Sequence, residues 1–195
     1  EEALRAHHLN SKDFQHYLQK GSAILSMYLD TKHDTFRANQ KTELNFAGQS
    51  VFIGEAHLTG MLDLVDINDD TITITDYKTG RPARSWQGRD EYEKIKLHKY
   101  KQQLMFYCLL AAHSRDYAKY TVEKTVIQFV EPTLEHEIIT LEASFSKDDL
   151  DEFARLIQVI WKHITTLDLP DISSYSPSYQ GIIAFERDLL ENATS

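Results

Sequence analysis

The order of predicted elements gives a mixed α/β fold, a central sheet flanked by helices. Three observations carry this expectation. Alternating apolar and polar residues flank the turn signal Asn68-Asp69-Asp70, which marks a β-hairpin. Apolar residues at helical spacing precede and follow this run of strands. Two further strand-like segments come after the long helical stretch from Tyr92 to Ser114.

The elements follow in order. Residues 12–31 carry a helical apolar pattern (Phe14, Tyr17, Leu18, Ile24, Leu25, Tyr28, Leu29) with Ser11 as N-cap, weakened at Gly21. Residues 40–48 and 51–58 read as strands joined by Gly48-Gln49-Ser50. The hairpin strands occupy about 59–67 and 71–78, and Gly80-Arg81-Pro82 then opens a polar loop to about residue 90. The helix from Tyr92 to Ser114 is most apolar in its second half. Residues 121–130 and 135–143 are strand-like. Ser146-Lys147-Asp148-Asp149 resembles a capping box opening a helix to about Thr166, which Leu169-Pro170 ends. A short helix near 180–191 closes the chain.

The bulk composition bounds the function. The 195 residues suffice for one domain with a real core, and 42% apolar with 26% charged residues is a globular composition. No apolar run approaches the ~20 residues that span a bilayer, so no membrane partner is expected. The sequence opens Glu-Glu-Ala without a signal peptide, and reads as a piece excised from a longer chain. The single cysteine, Cys108, excludes an internal disulfide and a four-cysteine zinc or iron–sulfur site within the chain. A net charge of −9 argues against nucleic acid, yet Lys78 to Lys101 holds eight Lys/Arg against Asp90, Glu91 and Glu93, a local balance of +5. A charge run alone would read as a solvated face. Its position after the hairpin favours contact with DNA or RNA instead, with Arg81, Arg84, Lys96, Lys99 and Tyr100 as the contacting residues.

The chemistry concentrates in residues 60–80. Strand periodicity puts Ile72, Ile74, Asp76 and Lys78 on one face, so a carboxylate and an ammonium continue an apolar row. Charges there cost several kcal/mol unless paired or bound to an ion. Asp63, before the turn, supplies a second carboxylate. Gln103 and Tyr107 share a helix face with Lys96 and Tyr100, a stripe that alone would read as a solvent face.

Gly60-Met-Leu-Asp63, Asp76-Tyr77-Lys78-Thr79-Gly80 and Gln103-Leu104-x-x-Tyr107 together resemble the motif set of RecB-like nucleases in the PD-(D/E)xK superfamily. Glu43 matches the acidic residue that often precedes those motifs, and Ile183-x-Phe185-Glu186-x-x-Leu189-Leu190 is similar to the closing helix of such domains. The resemblance implies a single domain over residues 1–195 with a restriction-endonuclease-like core. It also implies divalent-metal-dependent DNA cleavage, and fusion or association with superfamily 1 (UvrD/Rep-like) helicase domains in DNA repair or recombination. The implied substrate is single- or double-stranded DNA, with exonuclease action ahead of endonuclease action, in a bacterial cytoplasm near the nucleoid.

The implied site has Asp63, Asp76 and the Tyr77 carbonyl as ligands of Mg²⁺ or Mn²⁺, hard oxygens for a hard cation. Lys78 would orient or deprotonate the attacking water and offset transition-state charge. Glu43 would hold a water or second ion, and Gln103 and Tyr107 would position Lys78 and the strand. Two departures qualify the resemblance. The histidine expected in a Gly-x-x-x-His setting is not matched by His7, His8 or His16, and an upstream position for it would leave this chain a weaker enzyme. The C-terminal cysteine cluster of the iron–sulfur members is absent from residues 165–195, so no iron–sulfur cluster is expected. The rival readings are a non-cleaving DNA-binding or protein-docking module on the same fold, and a stand-alone restriction-type endonuclease.

Overall fold

A computed structural model of the chain describes residues 2–7 and 9–193, so His8 lies outside the described residues. The elements run α1 (Glu2–Ala6), α2 (Ser11–Lys32), β1 (Lys41–Asn45), β2 (Val51–Ile53), β3 (Ala56–Leu58), β4 (Met61–Asn68), β5 (Thr71–Lys78), α3 (Glu91–Ala112), β6 (Thr121–Phe129), β7 (Thr140–Ala143), α4 (Lys147–Thr166) and α5 (Tyr179–Asn192). The main sheet has the order β1-β4-β5-β6-β7, with β5 and β6 parallel and the other pairs antiparallel. This is the expected mixed sheet flanked by helices. No helix among the described residues is long and apolar enough to cross a membrane.

The hairpin forms because β5 is an alternation of threonine and isoleucine, residues that pack well on a pleated surface. Asp69, at φ 48, makes the two-residue turn that feeds β5 back along β4. Ile72 and Ile74 are fully buried, and with Val65, Ile127 and Phe129 they form the sheet side of the core. Leu97, Leu104 and Leu110 of α3 supply the helix side. α4 and α5 pack outside α3, so α3 is enclosed on several sides and its second half is apolar nearly all round. α2 lies against Tyr77, meeting it through Tyr28, whose ring stands edge-on to Tyr77 at 6.1 Å.

Three sequence expectations need correction. The strand placed at 51–58 is two short strands, β2 and β3, which form a separate hairpin beneath α4. Gly54 turns the chain there at φ +58, a left-handed conformation that favours glycine. The strand placed at 40–48 stops at Asn45, whose side chain accepts from the Ala47 N–H and starts a turn. The strand placed at 135–143 begins only at Thr140. Before it, the Thr133 hydroxyl accepts from the Glu135 and Glu137 N–H groups, and His136 sits at φ 63.

One helix start, that of α4, follows its sequence signal closely. Ser146 and Asp149 form the full capping box of α4. At α3 the Asp90 side chain accepts from the Glu93 N–H. The Glu93 carboxylate turns back to accept from the Arg89 backbone N–H at 2.7 Å and from its guanidinium at 3.0 and 2.8 Å. The Arg89 hydrogen bond outweighs burial and holds the Glu93 carboxyl below its usual value of 4.5. A lowered folded-state value stabilises the fold above the unfolded value, and that contribution fades as pH falls through the folded value. Glu93→Gln is therefore expected to lower the urea midpoint at pH 7, and the gap to the native chain is expected to narrow by pH 3. A gap independent of pH would show that the charge on Glu93 contributes nothing.

Candidate active site

Asp63 enters β4 and Asp76 leaves β5, so the antiparallel pairing brings them together. They stand across from each other one step beyond the last paired residues, Leu64 and Thr75. Here the Asp63 side chain replaces the ladder: its Oδ2 accepts from the Tyr77 backbone N–H at 2.9 Å. This bond fixes the Asp63 carboxylate against the end of β5.

Asp76 is buried, at 2% exposure, on the face that continues Ile72 and Ile74. Its Oδ1 accepts from the Tyr107 hydroxyl at 2.9 Å and from Gln103 Nε2 at 3.0 Å, both on α3. Its Oδ2 is buried without a hydrogen bond. The Lys78 ammonium stands 2.7 Å from that oxygen but outside hydrogen-bond geometry, and so neutralises it by charge alone. Lys78 Nζ donates instead to Gln103 Oε1 at 2.7 Å and lies 4.7 Å from the centre of the Tyr100 ring. Gln103 thus ties the lysine to the carboxylate. Burial, then the charge of Asp76, pushes the Tyr107 hydroxyl far above its usual value, and Tyr100 is raised for the same two reasons. Tyr107 therefore remains a donor throughout the physiological range. The polar stripe on α3 is not a solvent face at this point, since Tyr107 is 7% exposed.

Glu43 falls between the pairs Thr42–Leu64 and Leu44–Leu62, the step of the β1–β4 ladder that Asp63 also occupies. Its backbone is left-handed, at φ 48, and its side chain is exposed. Left-handed backbone at a non-glycine residue costs of order 1–3 kcal/mol.

The remaining predicted residues separate into three groups. Lys96 and Tyr100 adjoin the cluster: Lys96 Nζ donates to the Arg81 carbonyl at 3.3 Å and sits 5.6 Å from the Tyr100 ring centre. Arg81 and Lys99 are exposed on the loop and on α3. Arg84 is drawn away, in ion pairs with Glu135 at 2.6 Å and Glu137 at 3.3 Å. One residue at this end escaped the sequence reading. Glu131 follows β6, accepts from the Gly80 N–H at 2.7 Å and pairs with Lys20 at 2.9 Å. Burial opposes its charge, but Lys20 and the Gly80 N–H prevail and hold its carboxyl below the usual value. Its only sequence signal was its place after β6, the parallel neighbour of β5.

These groups set two carboxylates beside a half-buried ammonium. A model of the PD-(D/E)XK nuclease superfamily matches residues 1–174. The chain belongs to that superfamily. Members of the PD-(D/E)XK superfamily are typically nucleases and generally use divalent metals such as Mg²⁺. A solved structure described as "Crystal structure of SSO0001" is similar at 19% identity and a TM-score of 0.41, over 73% of this chain and 57% of that one. This chain thus spans little more than half the length of that neighbour, and the likeness is too weak to carry an argument. No curated protein matches.

One observation suits a divalent ion: the buried Asp76 Oδ2 receives no hydrogen bond and is met by the Lys78 ammonium at 2.7 Å. Among the described residues no three His, Cys, Asp or Glu gather as ligands. The protein's share would be Asp63, Asp76 and the Tyr77 carbonyl. A set this small suits Mg²⁺, which keeps several waters.

The buried network sets a stability expectation. Tyr107→Phe keeps the ring in the core but leaves Asp76 Oδ1 with Gln103 as its one donor. It is expected to cost about 1–3 kcal/mol by chemical denaturation, as for a buried acceptor losing a partner. An unchanged midpoint would mean that the Tyr107 hydroxyl does not hold Asp76.

Proposed function

We propose that this PD-(D/E)XK domain is a divalent-metal-dependent DNA nuclease of the RecB-like kind, working with helicase domains in repair or recombination. The observation that carries the proposal is the closed set of Asp63, Asp76 and Lys78 at one end of the β4–β5 hairpin, held by Gln103 and Tyr107. Two carboxylates and a lysine at one point suit a phosphodiester whose charge must be offset while water attacks. Asp63, Asp76 and the Tyr77 carbonyl would hold the ion. When bound, Mg²⁺ or Mn²⁺ supplies Lewis acidity toward the scissile phosphate.

The chain's own residues do the rest. Asp63, fixed by the Tyr77 N–H, keeps its second oxygen for the site. Lys78 orients the attacking water and places positive charge beside the phosphoryl oxygens as negative charge builds. Gln103 accepts from Lys78 and donates to Asp76, so it sets the position of both. Tyr107 holds Asp76 from within the core. Glu43 brings a third carboxylate to the rim, and its left-handed backbone is the kind of local cost that functional sites retain. Lys96, Tyr100 and Arg81 form the approach for the strand. The second reading, a binding module without cleavage, is favoured by the 2.7 Å approach of Lys78 to Asp76, which occupies the oxygen an ion would need.

The two readings part on incubation with labelled single- and double-stranded DNA in Mg²⁺, Mn²⁺ or EDTA. Cleavage that EDTA abolishes is expected. Asp76→Ala should lose the Mn²⁺ binding that calorimetry detects in the native chain. Lys78→Ala should keep Mn²⁺ binding and lose cleavage by about 10²–10⁴-fold, the range for a proton-transfer or charge-stabilising group. Wild-type cleavage by Lys78→Ala would remove the lysine from the chemistry, and no cleavage with either metal would favour the binding module.

A salt titration tests the approach surface. Replacing Arg81 and Lys96 by Ala should flatten the dependence of log K on log salt by about 0.7–0.9 for each phosphate that is no longer neutralised. Arg84→Ala should change it less, because that guanidinium is already paired with Glu135 and Glu137. Equal effects would place Arg84 on the strand path despite its ion pairs.

A further inference from the structure

The loop after β5 carries a second feature, outside the carboxylate cluster. From Gly80 it crosses α3, where Lys96 donates to the Arg81 carbonyl, and reaches Trp86 and then Gly88, which rests close to the Lys94 backbone. Between this loop, α3 and the start of α5 lies a cavity of about 300 Å³. Trp86 and Tyr179 supply aromatic walls, Lys94 and Lys101 two ammonium groups, and Gln87 and Gln180 two side-chain amides. No carboxylate lines it, in a chain of net charge −9.

The walls are set in place by bonds of their own. Trp86 Nε1 donates to the Glu142 carbonyl at 2.7 Å, which pins the indole against β7, and Lys101 Nζ lies 5.5 Å from the indole ring centre. Tyr179 stands edge-on to His98 at 5.7 Å, and His98 is held in turn by Glu186 at 3.0 Å. The Glu91 carboxylate accepts from the Tyr179 backbone N–H, so the two nearby acids, Glu91 and Glu186, are each bonded to a residue of the wall. A fixed aromatic face, two cations and two amides in a pocket at the small end of the ligand-binding range match a flat heterocycle bearing a phosphate.

We infer that this cavity binds one nucleotide of a single strand, with its base against Trp86 and its phosphate toward Lys94 and Lys101. The inference rests on the nucleic-acid reading of the carboxylate site and adds where the strand goes. Trp86 lies eight residue steps beyond Lys78, so at about 3.6 Å per step the two lie within roughly 29 Å. A stacked strand covers that distance in no more than about nine nucleotides at about 3.4 Å each. Between them Lys78 and Lys96 flank the Tyr100 ring, which continues the alternation of aromatic and cationic side chains along α3. Aromatic platforms beside a cationic track are the usual means of holding a single strand without reading its sequence.

The test uses binding in EDTA, so that hydrolysis plays no part. Trp161→Phe leaves Trp86 as the single indole, since the chain has two tryptophans. Titration with oligothymidylate should quench its fluorescence. Trp86→Ala should weaken oligonucleotide affinity by about 5- to 150-fold, the loss of one stacked base. Lys101→Ala, which leaves the Trp86–Glu142 bond intact, should flatten the log K against log salt slope by about 0.7 and so test the pocket even if Trp86→Ala fails to fold. Thymidine monophosphate is the second arm: binding as tight as the oligonucleotide's would overturn the strand assignment in favour of a free nucleotide. No quenching by either ligand, with unchanged affinity in Lys101→Ala, would overturn the nucleotide site altogether. A chain that binds through Trp86 but never cleaves would sink the nuclease reading alone.

Discussion

A carboxylate with almost no access to water must be given donors by its own protein, and Asp76 imposes that demand where β5 leaves the core. The apolar row of Ile72 and Ile74 carries it inward, and desolvation there would cost several kcal/mol without partners. Two donors come from α3, Gln103 and Tyr107, one turn apart on the same face. The compensating charge comes from Lys78, two residues on and therefore on the same side of the strand. The rotation of α3 about its axis follows from this. Turning it to withdraw Gln103 and Tyr107 would strip Asp76 of both donors and withdraw Leu104 from the core together.

The other side of the sheet answers with a second set of fixings at the same strand end. Tyr28 of α2 meets the Tyr77 ring, and Gln128, paired with Tyr77 in the parallel ladder, donates to the Tyr28 hydroxyl. Lys20 of α2 holds Glu131, and Glu131 holds the Gly80 N–H just past Lys78. Gly80 is left-handed at φ +89, where glycine carries no penalty. The Asp76–Lys78 end of β5 is thus clamped between α3 and α2, with Asp63 of β4 standing across from it. Precise positioning of this kind is what a site acting through charge requires.

Much of this was legible in the sequence because it rests on local periodicity. Period two along 71–78 puts Asp76 and Lys78 with the isoleucines, and spacing of four puts Gln103 beside Tyr107. The capping box at Ser146 needs only neighbours three residues apart. What escaped depends on distant partners. Nothing local marks Glu131 as the acceptor for Gly80, 51 residues away, or Glu186 as the partner of His98, 88 residues away. The break at Gly54 escaped because residues 51–58 read as one strand until the left-handed Gly54 is seen folding β2 back onto β3. Arg84 looked like a free cation because the turn that delivers Glu135 and Glu137 to it was read as strand.

The two ends of the loop from Thr79 to Asp90 carry different constraints, and together they explain its composition. At its start the backbone must leave β5 without disturbing Lys78, which the Glu131 bond to Gly80 secures. At its end it must deliver Asp90 as the cap of α3 and Arg89 as the partner of Glu93. Those two tasks fix the loop over α3, so its middle can carry side chains selected for what passes across the surface. Arg81 and Trp86 stand in that middle, one beside Lys96 and the other beside Lys101. α3 therefore has two working faces joined by one loop: an inward face that satisfies Asp76, and an outward one that meets Trp86. On the proposed reading, a strand held at Lys78 leaves along the edge under this loop, where the cavity presents two ammonium groups and no carboxylate.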